Sequence, residues 1–269
     1  MNDKLLEKLS IFLNDNPRQI TINQINKVNK GIPDIIAMKY LLKEYLDYDF
    51  DYLKILNEID EKEYINNPYY KNIKIANKKY KNWNLKLDEY KPYELFVMDN
   101  FKEINGEILP QIGYFKKPYK YLALYQNNRL WMSITPNEIN TMKQDILDAY
   151  GDVLVIGCGL LYYPYMISNK NNVKSITVIE INEELIDLAN KIILPQFENK
   201  NKINIIHADA YEYMNNLDKN YDFIYIDIWH DVSDGLLCYN KFKKYEQIYK
   251  KSIFRYWIYD TMKFYLNNK

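Results

Sequence analysis

Between residues 152 and 228 short apolar runs alternate with helix-length stretches. The reading is strand 152–157, helix about 160–169, strand 174–181, helix 183–193, strand 202–207, helix 210–217 and strand 221–228. Strands separated by whole helices cannot pair as hairpins. Each crossover returns the chain to the same end of the sheet, so the strands run parallel and both faces are covered. The expected class is α/β, a doubly wound, mostly parallel sheet. Only 42 residues follow Asp227, and from Tyr239 onward they read as mostly helical, so the sheet is expected to be shortened at its C-terminal edge. The hairpins described next, or a partner subunit as in a homodimer, would cover what that leaves exposed.

The first half is written differently. Residues 1 to about 66 have helical apolar spacing, with Leu5, Leu6, Leu9, Ile11 and Leu13 opening one segment and Asp34 to Leu56 forming a longer one entered at Pro33. From Tyr93 to Ile134 the runs become short and extended. Asn105-Gly106 marks one hairpin turn and Gln126-Asn127-Asn128 a second. Thr135-Pro136-Asn137-Glu138 then spells a helix start: Thr135 caps, Pro136 suits the first turn, and Glu138 can reach back. That helix runs to about Ala149. The chain therefore divides into a helical and β-hairpin region, residues 1–134, and an α/β domain, residues 135–269.

In a doubly wound sheet ligands bind outside the carboxyl ends of the strands. The first strand ends in Gly157-Cys158-Gly159, where missing side chains let backbone amides approach a ligand. The second ends in Glu180, followed by Ile181 and 23 residues beyond Gly157, the place of a carboxylate that grips ribose hydroxyls. Asn182 is the better candidate for capping the next helix. The third places Asp209 and the backbone of Ala210 at the same rim to read a base edge, with His207 inside the strand in a structural role. The fourth gathers Asp227, Trp229, His230, Asp231 and Asp234. His230, Asp227 and Asp231 are the candidate acid–base groups; Trp229 either stacks on a substrate or closes the core.

Composition narrows the partners. Lys plus Arg and Asp plus Glu each number 36, so no global field draws the chain to nucleic acid or an anionic membrane. The stretch 71–87 has six lysines, no acid, and Tyr80 and Trp83 interleaved. Single strands are gripped in this way, but the pattern also describes a solvated face whose aromatics turn inward, and nucleic acid is not the expected partner. Two cysteines far apart suit a reducing cytoplasm. No window approaches the length of a membrane span, and no metal-ligand spacing is present.

The strand ends "VLVIGCG", "ITVIEIN", "INIIHADAYEYM" and "YDFIYIDIWHD" resemble the successive motifs of class I S-adenosylmethionine-dependent methyltransferases, over about residues 136 to 232. The hairpin "YLALYQNNRLWMSI" followed by "TPNE" is similar to the entry into the catalytic domain of spermidine synthases, the aminopropyl-transferring branch. The resemblance implies a Rossmann-like S-adenosylmethionine-binding domain. Gly157 and Gly159 would then face the methionine part of the cofactor, Glu180 the ribose, Asp209 the adenine amino group, and Asp227 the cofactor's amino group or the reacting centre. The departures are specific. Leu161 stands where methyltransferases keep a third small residue, and Leu160 where spermidine synthases have an acid. Asp227 and Asp231 are one residue too far apart for the D-x-x-D of spermidine synthases, and in place of their acidic, histidine-containing segment the preceding helix carries Glu138 near its start and no histidine. An N-P-P-Y-type signature is missing. Methyl transfer to a small-molecule acceptor is the leading expectation, aminopropyl transfer the second, and a non-catalytic relic with the leucines filling the methionine channel the third.

Overall fold

The computed structural model describes residues 3–15, 19–75, 77–217 and 219–267. In chain order its helices are α1 (Asp3–Asp15), α2 (Ile22–Val28), α3 (Asp34–Leu46), α4 (Lys62–Ile65), α5 (Pro68–Asn72), α6 (Pro136–Asp148), α7 (Tyr162–Ser168), α8 (Glu183–Leu188), α9 (Ala210–Asn215), α10 (Val232–Ile248) and α11 (Tyr259–Asn267). The strands are β1 (Leu56–Ile59), β2 (Lys78–Tyr80), β3 (Trp83–Tyr90), β4 (Phe96–Ile104), β5 (Glu107–Phe115), β6 (Tyr119–Gln126), β7 (Arg129–Ser133), β8 (Gly151–Ile156), β9 (Val173–Glu180), β10 (Ile203–His207), β11 (Phe223–Ile226) and β12 (Ile253–Tyr256). Met1–Ile65 and Asp88–Tyr121 form one compact unit; Asn66–Leu87 and Leu122–Lys269 form the other. Residues 66–87 and 122–134 thus group with the α/β half.

In the first unit α1, α2 and α3 enclose a core of Leu5, Leu9, Leu42, Tyr52, Ile112 and Tyr114, and the sheet order is β1-β5-β4. The helix expected over Asp34 to Leu56 stops at Leu46. Asp47 enters the left-handed region (φ 42°), and Leu56–Ile59 pair in parallel with Ile112–Phe115 instead. The apolar period continues past Leu46, but a partner strand outcompetes it. Asn105 and Gly106, both at positive φ, close the β4–β5 hairpin as the sequence implies.

In the second unit the large sheet runs β10-β9-β8-β11-β12, every pair parallel. Val153–Ile156 and Phe223–Ile226 are buried throughout, as central strands covered on both faces must be. Order reverses between β8 and β11, which makes their carboxyl ends the switch point where such sheets hold ligands. β12 falls within a stretch expected to be mostly helical. Its Ile253, Phe254 and Tyr256 suit a strand and register with Phe223, Ile224 and Ile226.

The smaller sheet runs β2-β3-β6-β7. Asn127 and Asn128, both at positive φ, turn β6 into β7. Residues 78–90, not expected to be strand, form a hairpin whose Trp83 is fully buried and whose Tyr80 hydroxyl donates to Asp187 Oδ2 (2.9 Å). Its aromatics therefore turn inward. Thr135 caps α6, its hydroxyl accepting from the Glu138 amide, with Pro136 in the first turn.

Candidate active site

β8 and β11 meet at the glycine turn. Gly157 has φ +104°, and a Cβ there would lie 2.0 Å from the Asp227 carbonyl oxygen. Only glycine permits this approach. Gly159 has φ +46°, and its missing Cβ leaves room for the Met132 thioether, whose sulfur would be 2.5 Å away. Leu160 and Leu161 are both fully buried in the main core. Leu161 carries a left-handed φ of 56°, a conformation costing about 1–2 kcal/mol for an L-residue. Burial of its side chain offsets this by about 1.5–3 kcal/mol. Tyr69, next to the start of α5, donates from its hydroxyl to the Leu160 carbonyl (2.7 Å), and Asn67 Nδ2 donates to the Tyr162 hydroxyl (2.7 Å). The turn is fastened from behind, and the leucines are spent on the core.

Glu180 follows from β9. Its Oε2 accepts from the Cys158 amide (3.1 Å) and its Oε1 from the Asn182 amide (2.8 Å). The half-buried carboxylate is thereby aimed, and each oxygen keeps a lone pair. Asn182 Oδ1 caps α8 by accepting from Leu185 N (3.1 Å), which leaves Glu180 free of that task. Burial, with the Glu180 charge adding to it, pushes the Cys158 thiol well above its ordinary range. Cys158 therefore contributes its amide and not a thiolate.

Ile181 is 64% exposed, an apolar face beside Glu180. His207 ends β10, exposed, with Nε2 donating to the Ile181 carbonyl (2.9 Å); its role is to tie two strand ends together. Asp209 caps α9, Oδ1 accepting from Tyr211 N (2.8 Å) and Glu212 N (3.0 Å), while Ala210 opens the helix. Among the described residues its Oδ2 accepts no hydrogen bond, which leaves it for another donor.

Asp227 follows β11, its amide donating to Ile156 O (2.9 Å). Its carboxyl has no hydrogen-bond partner among the described residues, and burial raises its pKa to about 7. The native state then favours the protonated form, so this group costs stability as pH rises from its ordinary value of 3.8 to about 7. Asp227→Asn is accordingly expected to raise the melting temperature of the ligand-free protein near pH 8 and to leave it unchanged near pH 4. Equal effects at both pH values would show that Asp227 is not desolvated.

The other residues after β11 have defined places. Trp229 is buried against Gly235 and closes the core, and its Nε1 has no partner among the described residues. Asp231 caps α10 and Asp234 completes a capping box, accepting from the Asp231 amide (3.0 Å). Asp231 Oδ1 is further engaged by the Ser233 amide and hydroxyl. Partial burial pushes the Asp234 carboxyl up, but the amides of Asp231 and His230 and the His230 ring outweigh it and hold the group below its usual range. His230 is exposed, Nδ1 lies 3.3 Å from Asp234 Oδ2, and its ring meets Trp131 edge-on.

The rim thus joins Gly157, Cys158 and Glu180 by direct contacts and brings Asp227 against Gly157. Two neighbours were not read from the sequence. Tyr225 lies two residues before Asp227, so strand alternation sends both side chains to one face. Its hydroxyl is buried without a partner among the described residues, and its ring stacks on Tyr163 at 3.8 Å. Trp131 reaches His230 from β7, and no local pattern announces that.

A search of curated proteins gives no match. Among solved structures, a spermidine synthase from Thermotoga maritima is 14% identical with a TM-score of 0.34, covering 53% of this chain and 51% of that one. A spermidine synthase in complex with the transition-state analogue AdoDATO is 13% identical (TM-score 0.34), covering 52% and 59%. A putative O-methyltransferase from Klebsiella pneumoniae is 14% identical (TM-score 0.34), covering 43% and 51%. The chain spans about half the length of these structures. Residues 138–251, which contain all four strand ends, match the family model of the spermine/spermidine synthase domain, and the chain is similar to that family over this segment.

Proposed function

We propose that the chain binds S-adenosylmethionine at the β8–β11 switch point and transfers a methyl group to a small-molecule acceptor. The observation that carries this reading is Glu180, a carboxylate oriented by the Cys158 and Asn182 amides with a lone pair remaining on each oxygen. That is the acceptor set two ribose hydroxyls require. Ile181 would pack on the adenine ring, Asp209 Oδ2 and the Ala210 backbone would meet the adenine edge, and the amides of Gly157, Cys158 and Gly159 would face the methionine part. The unpartnered Asp227 carboxyl would receive an amino group. S-adenosylmethionine, when bound, supplies a methyl group already made electrophilic by its sulfonium charge. The work left to the protein is alignment, with His230 accepting the proton of a hydroxylated acceptor and Asp231 holding the loop through the α10 cap.

Aminopropyl transfer is the second reading, favoured by the family-model match over residues 138–251. The acids after β11 weigh against it. Asp231 and Asp234 are spent on the capping box, so Asp227 stands alone where a polyamine would need several carboxylates. The two readings leave different products. Protein supplied with mixed small-molecule acceptors is expected to form S-adenosylhomocysteine from S-adenosylmethionine, detected by mass spectrometry. Methylthioadenosine formed from decarboxylated S-adenosylmethionine alone would replace methyl transfer by the second reading.

A further inference from the structure

Trp131 is placed by a defect in β-pairing. Leu124 faces Met132 and Tyr125 faces Leu130, so Trp131 is the extra residue of a β-bulge between β6 and β7. A bulge re-aims the side chains beside it. Here adjacent residues serve one rim: Met132 lies over Gly159, and the Trp131 indole meets the His230 ring at 5.1 Å and 86°. Trp83, fully buried, also meets the indole, at 5.6 Å and 89°. Two near-perpendicular ring contacts fix the plane of the indole. Yet Trp131 remains 38% exposed. A rigidly held indole with part of its surface open, next to a glycine turn, is a ready stacking platform.

The histidine adds direction. A carboxylate can only accept, so in the neutral imidazole the Nδ1–Asp234 contact at 3.3 Å calls for the proton on Nδ1, and Nε2 then keeps its lone pair. Ile228, also at this loop, is 37% exposed and offers apolar surface. The Asp231 and Asp234 carboxylates beside His230 are already engaged at the α10 cap, so little of their charge is left for a cationic acceptor.

We infer that the acceptor is a neutral, flat aromatic compound bearing a hydroxyl group, stacked on Trp131 with its hydroxyl donating to Nε2 of His230. This rests on the methyl-transfer reading for the chemistry, but the platform is a binding site in its own right. Trp131 is the residue that sets acceptor class, and a flexible aliphatic diamine gains nothing from it.

The test uses 2-naphthol as the probe, titrated calorimetrically into the full chain with and without S-adenosylhomocysteine, beside naphthalene and 1,4-diaminobutane. Wild type is expected to bind 2-naphthol more tightly than either comparison compound. Trp131→Ala should weaken it by about tenfold, and Trp131→Phe, which keeps a ring, by much less. A melting curve of each variant controls for folding. Equal affinity in wild type and Trp131→Ala, or preference for the diamine, overturns the inference. If S-adenosylhomocysteine binds and 2-naphthol does not, the aromatic acceptor falls while the cofactor reading stands. If 2-naphthol binds through Trp131 and S-adenosylhomocysteine does not bind, the platform stands and the cofactor reading falls.

Discussion

Gly157→Ala is expected to cost the α/β unit more than about 3 kcal/mol, or to prevent its folding. Two penalties coincide there. A φ of +104° is strained for any residue with a Cβ, and that Cβ would sit 2.0 Å from the Asp227 carbonyl oxygen. The obstacle is backbone, so no side chain can swing aside; β8 and β11 would have to separate at the switch point. Gly106→Ala is the matched control: φ is +77°, but nothing lies within 4 Å of the added atom. It should cost about 1 kcal/mol. Urea unfolding followed by circular dichroism separates the two. Similar losses at both positions would mean that the close approach of Gly157 to β11 contributes nothing to stability.

Glu180→Ala has the second large expected effect, on ligand affinity. The carboxylate would make charge-assisted hydrogen bonds to the ribose, each worth about 1.5–3 kcal/mol. Its removal should weaken S-adenosylhomocysteine binding by about a hundredfold, since each 1.4 kcal/mol is a factor of ten. Glu180→Gln should fall between, because its amide nitrogen cannot accept, so only one of the Cys158 and Asn182 N–H groups keeps its acceptor. Calorimetric titration of the three proteins measures this directly. An unchanged affinity in the alanine variant would remove Glu180 from the site.

Much of this site is written locally. Gly157, Glu180, Asp209 and Asp227 each terminate an apolar run or follow one closely, and the position of a strand end in a parallel sheet defines the rim. The capping box of Asp231 and Asp234 is also spelled in the sequence, by an acid followed three residues later by another. Asp231, a catalytic candidate from its place after the fourth strand, also meets the demand of the α10 N-terminus for an acceptor. His230 kept a place at the rim, but its neighbour is Trp131 and not the adjacent Trp229. Trp131 was illegible because a one-residue shift in register aims it, and register is a property of two strands together. β1 and β12 were missed for a related reason. Both are four-residue strands at sheet edges, stabilised by a neighbour remote in sequence, inside stretches whose apolar spacing also suits a helix.

Leu160 and Leu161 raised the sharpest doubt about the turn. Both are core residues, and Tyr69 of α5 holds the Leu160 carbonyl while Asn67, which caps α5, holds the Tyr162 hydroxyl. At Leu161, where the resemblance implies a small residue, a leucine accepts a left-handed conformation in exchange for burial.

The central claim is that this rim holds an S-adenosyl nucleoside through Glu180. Thermal unfolding with S-adenosylmethionine, S-adenosylhomocysteine or decarboxylated S-adenosylmethionine, in wild type and Glu180→Ala, tests it most directly. A ligand present at 100 times its dissociation constant adds about 2.7 kcal/mol of stability. The account predicts a rise in melting temperature with the first two ligands that is lost in the variant. No rise with any of the three, or an equal rise in both proteins, would contradict it.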